Sequence, residues 1–341
     1  MAVIFQDHKG QHYKVIFNQS SGYQLRIEDK GCDEPFWSQD GPELLDFSIT
    51  NYCERECSFC YRHADRNGHH ITLVEAERVI SQAKQIGVLQ IALGGGNPNQ
   101  HPQFIKILKM IRSYDIIPSY TTNGEGLTED ILGATKENCG AMALSVYPPL
   151  KDETIRMIRS ITGKGIKLNL HIILSTLTYE LLISWLTDAP DYLKKINAII
   201  ILNYKPMVES QNTMILSHSK VKRFYEAVAK SVGFNIGFDS CSVPGIVTYL
   251  KTKKEFIEPC EAARFSAFIS EDLKMYPCSF MADTQYYGDL KRDSMLNIWQ
   301  NNQYFVEFRN ALLSKKCDGC NFMDLCLGGC HFMPTINQCI K

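Results

Sequence analysis

The chain has 341 residues, of which 45% are hydrophobic, and its formal net charge is -1 at neutral pH. This length and hydrophobic content predict a globular protein with a sizeable core, in one large domain or a large and a small one. The near-neutral charge excludes an electrostatic surface for nucleic acid or for an anionic membrane. Because the sequence has neither a signal-peptide pattern nor a membrane-spanning apolar run, we expect a cytoplasmic protein.

The first predicted elements are two short alternating segments, Tyr13–Phe17 and Tyr23–Ile27, separated by the turn residues 18–22. Alternating apolar residues on both sides of a short polar turn predict a β-hairpin. We therefore interpret residues 1–43 as an N-terminal β-hairpin extension that packs against the domain that follows.

A regular alternation of strands and helices is predicted from Leu44 to residue 235. Leu44–Thr50 is predicted as a strand, and Thr72 to Glu75 forms a capping box at the start of a helix. Further strands start near Val88, Ile116, Ala141, Leu168 and Ile196, and helices are predicted over Pro102–Ser113, Thr128–Thr135, Lys151–Ile161, Tyr179–Leu186 and Ser219–Ser231. Six such units predict a parallel sheet with right-handed crossovers, in which ligands collect at the carboxyl ends of the strands.

Three cysteines follow the first of these strands, with the spacing C-x3-C-x2-C. They are Cys53, Cys57 and Cys60, and Phe59 stands directly before the third. Three thiolates on one short loop hold three irons of a four-iron four-sulfur cluster and leave the fourth iron open to a small molecule. A structural zinc site is the alternative, although zinc closes its shell with four ligands. Clustered cysteines without a signal peptide indicate metal ligation in a reducing compartment.

A second group of cysteines follows beyond residue 235, where the alternation of strands and helices is predicted to stop. Apart from Cys241, seven cysteines stand in this region: Cys260, Cys278, Cys317, Cys320, Cys326, Cys330 and Cys339. Their close spacing predicts a second metal-binding region within residues 236–341.

The spacing of the first three cysteines, with Phe59 in its aromatic position, resembles that of the radical S-adenosylmethionine (SAM) enzymes. The later cysteines resemble the C-terminal SPASM extension of the peptide-modifying maturases in that superfamily. The resemblance implies a partial (β/α)6 TIM-like barrel over residues 44–235 and a SPASM domain over residues 236–341. It also implies that the open iron chelates SAM, and that the reduced cluster splits the sulfonium to give methionine and a 5′-deoxyadenosyl radical.

The resemblance also implies a set of SAM contacts. After the second barrel strand the family has a Gly-Gly-Glu-Pro motif that holds the methionine amino group, and in this chain Asn97 replaces the Glu. The implied cofactor-binding residues are Phe59, Gly95, Gly96, Asn97, Pro98, Thr122, Asn123 and Ser145. The last three could equally be turn residues. We expect His171 to be a core histidine and Lys205 to be solvated, although Lys205 could meet a substrate carboxylate.

By the same resemblance, the later cysteines hold two auxiliary clusters. Cys260, Cys278 and Cys330 serve the first, and Cys317, Cys320, Cys326 and Cys339 serve the second. The first auxiliary cluster is then one ligand short of four, and Cys32, Cys139 and Cys241 are unassigned. Cys241 is our candidate for the missing ligand. The alternatives are a free catalytic thiol that donates a hydrogen atom to a substrate radical, and a buried small hydrophobic residue.

The sequence therefore predicts a radical SAM enzyme with three four-iron four-sulfur clusters. We expect it to modify a C–H position of a ribosomally made peptide by an oxidation such as crosslinking, thioether formation or dehydrogenation. Sulfatase maturation fits less well, because Ser279 stands where those relatives have an Asp. The alternatives are a small-molecule dehydrogenase or decarboxylase, a peptide epimerase, a non-catalytic iron–sulfur electron carrier and a zinc-stabilised binding module. Expected partners are the substrate, a flavodoxin- or ferredoxin-type electron donor and a separate leader-peptide-binding protein.

Overall fold

The computed structural model describes residues 3–20, 22–314, 317 and 319–339. The chain divides into two compact units. The first contains the chain up to Met142 together with Ala262–Arg309, and the second contains Ala143–Glu261 and the chain from Asn310 onward. None of the described helices is long and apolar enough to cross a bilayer.

The described elements follow the order that the hydrophobic pattern predicts, and the barrel strands start within two residues of their predicted positions. The strands are β1 (Val3–His8), β2 (Tyr13–Asn18), β3 (Gln24–Glu28), β4 (Leu44–Thr50), β5 (Gln90–Gly95), β6 (Ile117–Thr122), β7 (Ala141–Ser145), β8 (Leu168–Leu174), β9 (Ala198–Asn203), β10 (Ile236–Phe238), β11 (Ser266–Ile269), β12 (Lys274–Tyr276) and β13 (Gly288–Asp289). The α-helices are α1 (Leu73–Gln85), α2 (Phe104–Ser113), α3 (Glu129–Asn138), α4 (Asp152–Gly163), α5 (Tyr179–Thr187), α6 (His218–Val228), α7 (Val243–Tyr249), α8 (Met295–Asn301), α9 (Gln303–Leu313) and α10 (Met323–Cys326).

The N-terminal extension is a three-stranded antiparallel sheet in the order β1-β2-β3. The predicted hairpin is confirmed, because β2 and β3 pair in register from Tyr13 with Glu28 to Phe17 with Gln24. The buried face of β2 packs in a cluster that includes Leu89 of the first unit. β1 was not predicted, because its polar end, Gln6 to His8, breaks the apolar alternation that marks a strand.

In the first unit the sheet runs in the order β6-β5-β4-β11-β12-β13. β4, β5 and β6 are parallel, as predicted, and β11 adds to β4 as a further parallel strand. The predicted capping box of α1 is confirmed: Thr72 Oγ1 accepts from Glu75 N at 3.2 Å, and Thr72 N donates to the Glu75 carboxylate at 3.0 Å. The parallel arrangement brings the carboxyl ends of β4, β5 and β6 to one edge of the sheet.

In the second unit the strands run in the order β7-β8-β9-β10. β10 pairs in parallel with β9, so the strands continue beyond residue 235, where the sequence pattern predicts a stop. A strand of three residues is too short to show the alternation by which strands are recognised in a sequence. The domain boundaries after residues 43 and 235 stay predictions.

Candidate active site

The three-cysteine loop follows β4 directly. Its turns are closed by main-chain hydrogen bonds from Cys60 N to Cys57 O (3.0 Å) and from Cys53 N to Asp65 O (2.8 Å). Burial raises the pKa of Cys53 and of Cys57, and the charge of Cys60 raises both further. The three thiols therefore lie close enough to interact, with Phe59 half-buried between the second and third.

The separation of the sulfur atoms tests which metal group the cysteines fit. A tetrahedral zinc ion with Zn–S bonds of about 2.3 Å holds its sulfurs about 3.8 Å apart. In the part of the chain that the structure describes, which includes all thirteen cysteines, no three cysteine sulfurs lie within 4.8 Å of one another. An iron–sulfur cluster spreads its thiolate ligands over several irons, so the wider spacing fits a cluster better than a single zinc ion.

The glycine run at the end of β5 lies against the segment that leads into the cysteine loop. A Cβ on Gly95 would lie 2.0 Å from Thr50 O, and a Cβ on Gly96 would lie 2.0 Å from Tyr52 O. Gly95 also has a φ of +113°, which disfavours other residues. In contrast, no described atom lies within 4 Å of a Cβ built on Gly94. Two of the three glycines are thus required by chain packing, and only Gly94 faces open space.

The predicted SAM-binding residues Asn97, Thr122 and Asn123 form one hydrogen-bonded group. Asn97 Oδ1 accepts from Thr122 Oγ1 (2.8 Å) and from Asn123 N (3.3 Å), and Asn97 Nδ2 donates to Glu125 O (2.9 Å). Asn97 and Thr122 are buried, as is the adjacent Pro98. The amide of Asn97 therefore joins the loop after β5 to the loop after β6, and its expected contact with SAM stays a prediction.

Asn123 is the member of this group that reaches the cysteine loop. Its Nδ2 donates to Cys53 Sγ at 3.5 Å, and its Oδ1 accepts from Glu125 N at 2.8 Å. Asn123 thus places an amide donor on the first cluster cysteine. Ser145 ends β7 in the second unit, is half-buried, and also stays a predicted SAM contact.

A buried ion pair anchors the chain just after the cysteine loop, and no sequence motif predicted it. The guanidinium of Arg62 is 1% exposed and donates to both carboxylate oxygens of Glu271 at 2.9 and 3.0 Å. Ser48 Oγ of β4 donates to the same carboxylate. Arg62 and Glu271 are 209 residues apart in sequence, so no local motif links them. The pair ties the end of the cysteine loop to the segment after β11.

Four of the later cysteines interact as expected for one cluster. Burial raises the pKa of Cys326 to about 11, and the charges of Cys339, Cys320 and Cys317 contribute to the shift. These are the four cysteines assigned by resemblance to the second auxiliary cluster. Their convergence supports that grouping, while the ligand assignment itself stays a prediction.

The other predicted auxiliary ligands lie on three different segments. Cys330 is held by Asn337, whose Oδ1 accepts from Cys330 N at 2.8 Å, and Cys330 Sγ accepts from Met333 N at 3.2 Å. Cys241 and Cys260 are half-buried residues of the second unit, and Cys278 follows β12 in the first. Their assignment to one cluster stays a prediction.

Asn203, at the end of β9, is a second residue that the sequence did not single out. Its Nδ2 donates to Cys241 O and to Ile336 O, both at 3.0 Å, and its Oδ1 accepts from Gln338 Nε2 at 2.8 Å. Gln338 directly precedes Cys339. One buried amide thus holds two segments that carry predicted auxiliary ligands.

The expectation that Lys205 is solvated is wrong. Its side chain is 5% exposed, and Nζ donates to Asp239 Oδ2 (2.8 Å) and to Asn203 O (3.0 Å). The carboxylate supplies the partner that makes this burial of an ammonium tolerable. His171 lies nearby on β8, where burial lowers its pKa to about 4 against the opposing charge of Asp239. It is therefore neutral near pH 7, and it is half-buried on the face of β8 that also carries Asn169 and Ile173.

Two protein-family models match the chain. The radical SAM superfamily model matches residues 47–167, and the SPASM model, described as an iron–sulfur cluster-binding domain, matches residues 260–321. The first match covers the three-cysteine loop, the glycine run and the strands β4 to β7. The second begins at Cys260 and ends just after Cys320.

Relatives among characterised proteins match over different lengths. The probable GTP 3′,8-cyclase of Thermococcus kodakarensis is 31% identical over 121 residues, which is 35% of this chain and 39% of that protein. Four such cyclases match over 26% to 61% of their own length, so this chain spans less than two thirds of them. The mycofactocin maturase MftC of Mycobacterium tuberculosis is 20% identical over 314 residues, covering 85% of this chain and 78% of that one.

Solved structures of SuiB from Streptococcus suis match nearly the whole chain. The complex with S-adenosylmethionine has a TM-score of 0.76 at 16% identity, covering 98% of this chain and 96% of SuiB. The complex with the precursor peptide SuiA has a TM-score of 0.75 at 15% identity, with 96% and 94% covered. The chain therefore has the predicted fold, an α/β partial TIM-like barrel with a SPASM domain.

This fold and the two sets of cysteines define the chain as an iron–sulfur protein built on a partial barrel. Residues 47–167 form a radical S-adenosylmethionine domain, and residues 260–321 lie in a SPASM iron–sulfur cluster-binding domain. The family recognition made from the cysteine spacing is thereby confirmed.

Proposed function

We propose that this chain is a peptide maturase of the radical SAM superfamily, which oxidatively modifies a C–H position of a ribosomally made peptide. When bound, its reduced cluster and SAM together supply a 5′-deoxyadenosyl radical that removes the hydrogen atom. The outcome is a crosslink, a thioether or a related oxidation of the peptide.

One observation carries the proposal. The thiols of Cys53, Cys57 and Cys60 converge on one loop, close enough for their charges to interact. A three-thiol set leaves one iron of a four-iron cluster open, as SAM binding requires. A non-catalytic electron carrier needs no open iron and no space beside it, whereas Gly94 faces open space one strand away.

The peptide as substrate is supported by the full-length relatives. SuiB was solved with a precursor peptide, and MftC is named a maturase. Both match this chain over most of its length, whereas the GTP 3′,8-cyclases match over a smaller part. A substrate class shared by relatives that match most of the chain is the better guide.

We propose three four-iron four-sulfur clusters for this chain. Cys53, Cys57 and Cys60 hold the cluster that binds SAM, beside the amide of Asn123. Cys317, Cys320, Cys326 and Cys339 hold one auxiliary cluster. Cys260, Cys278 and Cys330 hold the other, with Cys241 as its fourth ligand. The auxiliary clusters would accept the electron that the peptide radical loses as it becomes the oxidised product.

The proposed chemistry also fixes the surroundings in which the protein works. Reduction of the SAM-binding cluster needs a low-potential donor, for which we propose a flavodoxin or ferredoxin. Eleven cysteines kept as thiolate ligands need a reducing compartment, so we propose the cytoplasm. A separate leader-peptide-binding protein is a further candidate partner.

The test is an anaerobic assay of SAM cleavage. The reconstituted and chemically reduced enzyme is expected to release 5′-deoxyadenosine, and Cys57→Ala is expected to abolish release. Cys32→Ala is the matched control, because Cys32 is exposed and has no proposed role as a ligand. A mass change in the peptide encoded beside the gene would support the peptide substrate. Wild-type enzyme that releases no 5′-deoxyadenosine would overturn the proposal.

A further inference from the structure

β10 is the edge strand of its sheet in the second unit. The main chain of Asn235 and Asp239 bonds to β9, through Asn235 O (2.9 Å) and Asp239 N (3.1 Å). Because successive residues of a strand direct their N–H and C=O groups to opposite edges, those of Ile236 and Phe238 point away from β9. Among the described residues, neither makes a main-chain hydrogen bond to another segment on that side.

The open edge of β10 borders a groove of ≈ 790 Å³. The groove is lined along one side by β10, and its apolar wall is formed by Phe234 and by Val243, Ile246 and Leu250 at α7. A cavity of this size accommodates several amino-acid residues. Apolar lining beside unpaired main-chain groups is the combination that an extended peptide uses when it adds a strand to a sheet.

Two highly exposed apolar side chains lie at this groove. Phe256 lines it and is 77% exposed, and Val232, between groove residues Ser231 and Phe234, is 82% exposed. They are two of the three most exposed large hydrophobic side chains in the described part of the chain. Exposed apolar groups at the rim of a concave site favour a binding surface over a merely solvated edge.

We propose that an extended segment of the peptide substrate docks in this groove as an additional strand on β10. The outward N–H and C=O groups of Ile236 and Phe238 pair with the peptide main chain, and the apolar wall receives alternate side chains. A peptide is the occupant that fits, because only an extended main chain offers donors and acceptors at the repeat of a strand. This inference rests on the proposed function and assigns it a substrate-binding site next in sequence to the predicted ligands Cys241 and Cys260, because Ser240 and Glu261 line the groove.

The experiment removes the main-chain N–H of Ile236, which points away from β9, and leaves the pairing of β10 with β9 intact. Proline at position 236 lacks only the N–H that points away from β9, so Ile236→Pro should keep the fold, as edge strands tolerate proline there. Ile236→Val keeps the N–H and is the matched control. The probe is the strongest binder from a phage-displayed library of random dodecapeptides, synthesised with a fluorescent label and titrated anaerobically against the reconstituted enzyme.

We expect Ile236→Pro to weaken binding of the labelled peptide by about tenfold and Ile236→Val to leave it unchanged. A second measurement methylates each main-chain nitrogen of the peptide in turn and uses only the wild-type enzyme, so it does not depend on the folding of any variant. Methylation should weaken binding at every second residue of the peptide. Equal binding by both variants, N-methylation effects without a period of two, or a library that yields no binder would each overturn the docking site.

Failure of this inference is distinguishable from failure of the proposed function. Release of 5′-deoxyadenosine from SAM is measured on the same preparations without peptide. Normal release with no period-two binding overturns only the docking site. No release from the wild-type enzyme overturns the proposed function, whatever the peptide binds.

Discussion

The side-chain amide of Asn203 donates a hydrogen bond to the main-chain carbonyl of Cys241 at 3.0 Å. The same nitrogen donates to Ile336 O, and the amide oxygen accepts from Gln338. All three polar contacts of this buried side chain therefore hold segments that lead to predicted cluster ligands, Cys241 and Cys339. We interpret Asn203 as a positioning residue for the auxiliary clusters.

We predict that Asn203→Asp lowers the iron content of the reconstituted enzyme. The substitution removes the two donated hydrogen bonds and leaves two buried carbonyl groups unsatisfied, at a cost of about 1–3 kcal/mol each. We expect a loss of up to about one third of the iron, corresponding to one of three proposed clusters. The measurements are iron per chain and the electron paramagnetic resonance spectrum of the reduced protein.

Asn197→Asp is the matched control for Asn203. Asn197 directly precedes β9, at the strand end opposite to Asn203, and among the described residues its exposed amide donates to Asn169 alone. We expect wild-type iron content for this variant. Wild-type iron content and an unchanged spectrum in Asn203→Asp would contradict the positioning role.

We predict that Arg62→Met destabilises the first unit by about 3–5 kcal/mol, because it leaves the buried carboxylate of Glu271 without its ion-pair partner. The double variant Arg62→Met, Glu271→Leu should recover a large part of that loss, since it removes both charges. The free energy of unfolding is measured in urea under anaerobic conditions. Arg66→Met is the control, because Arg66 is 67% exposed and should change nothing measurable. A single variant as stable as the double variant would refute the account.

Gly94 and Gly96, at the end of β5 and just after it, should respond differently to alanine. Gly96→Ala places a Cβ 2.0 Å from Tyr52 O, so we expect destabilisation of roughly 3 kcal/mol or more. Gly94→Ala meets no described atom and should preserve stability while weakening SAM binding, because it fills the open space. Urea unfolding and equilibrium binding of SAM separate the two effects. Unchanged SAM affinity in Gly94→Ala would place SAM elsewhere.

We predict a pH-dependent loss of stability from His171. Its pKa is lowered by burial to about 4 in the folded chain, against 6.5 in an ordinary environment. Between these values the unfolded chain binds a proton that the folded chain does not, so stability falls as the pH falls. From pH 6.5 to about pH 5 we expect a loss of about 1–2 kcal/mol.

The contribution of His171 is read from variants measured over the same pH range. In His171→Gln the unfolding free energy should depend less on pH than in the wild type. His12→Gln, at an exposed histidine, should keep the wild-type dependence. Identical pH dependence in all three proteins would show that His171 is not the cause.

Leu273 is a non-glycine residue in a strained main-chain conformation. It lies five residues before Cys278 and adopts a left-handed conformation with a φ of +66°. This conformation costs a non-glycine residue roughly 1–2 kcal/mol. The side chain of Leu273 is buried, and that burial offsets the cost.

The sequence by itself determined the cluster loop, the capping box at Thr72 and the order of strands and helices. These features depend on residues only a few positions apart, so their spacing alone fixes the chemistry or the hydrophobic pattern. The tertiary structure alone decided four other features. They are the close main-chain contacts that require glycine at positions 95 and 96, the ion pair of Arg62 with Glu271, the burial of Lys205 and the contacts of Asn203. Each joins segments far apart in the chain, and no local pattern records which distant main-chain or charged group will lie within 3 Å.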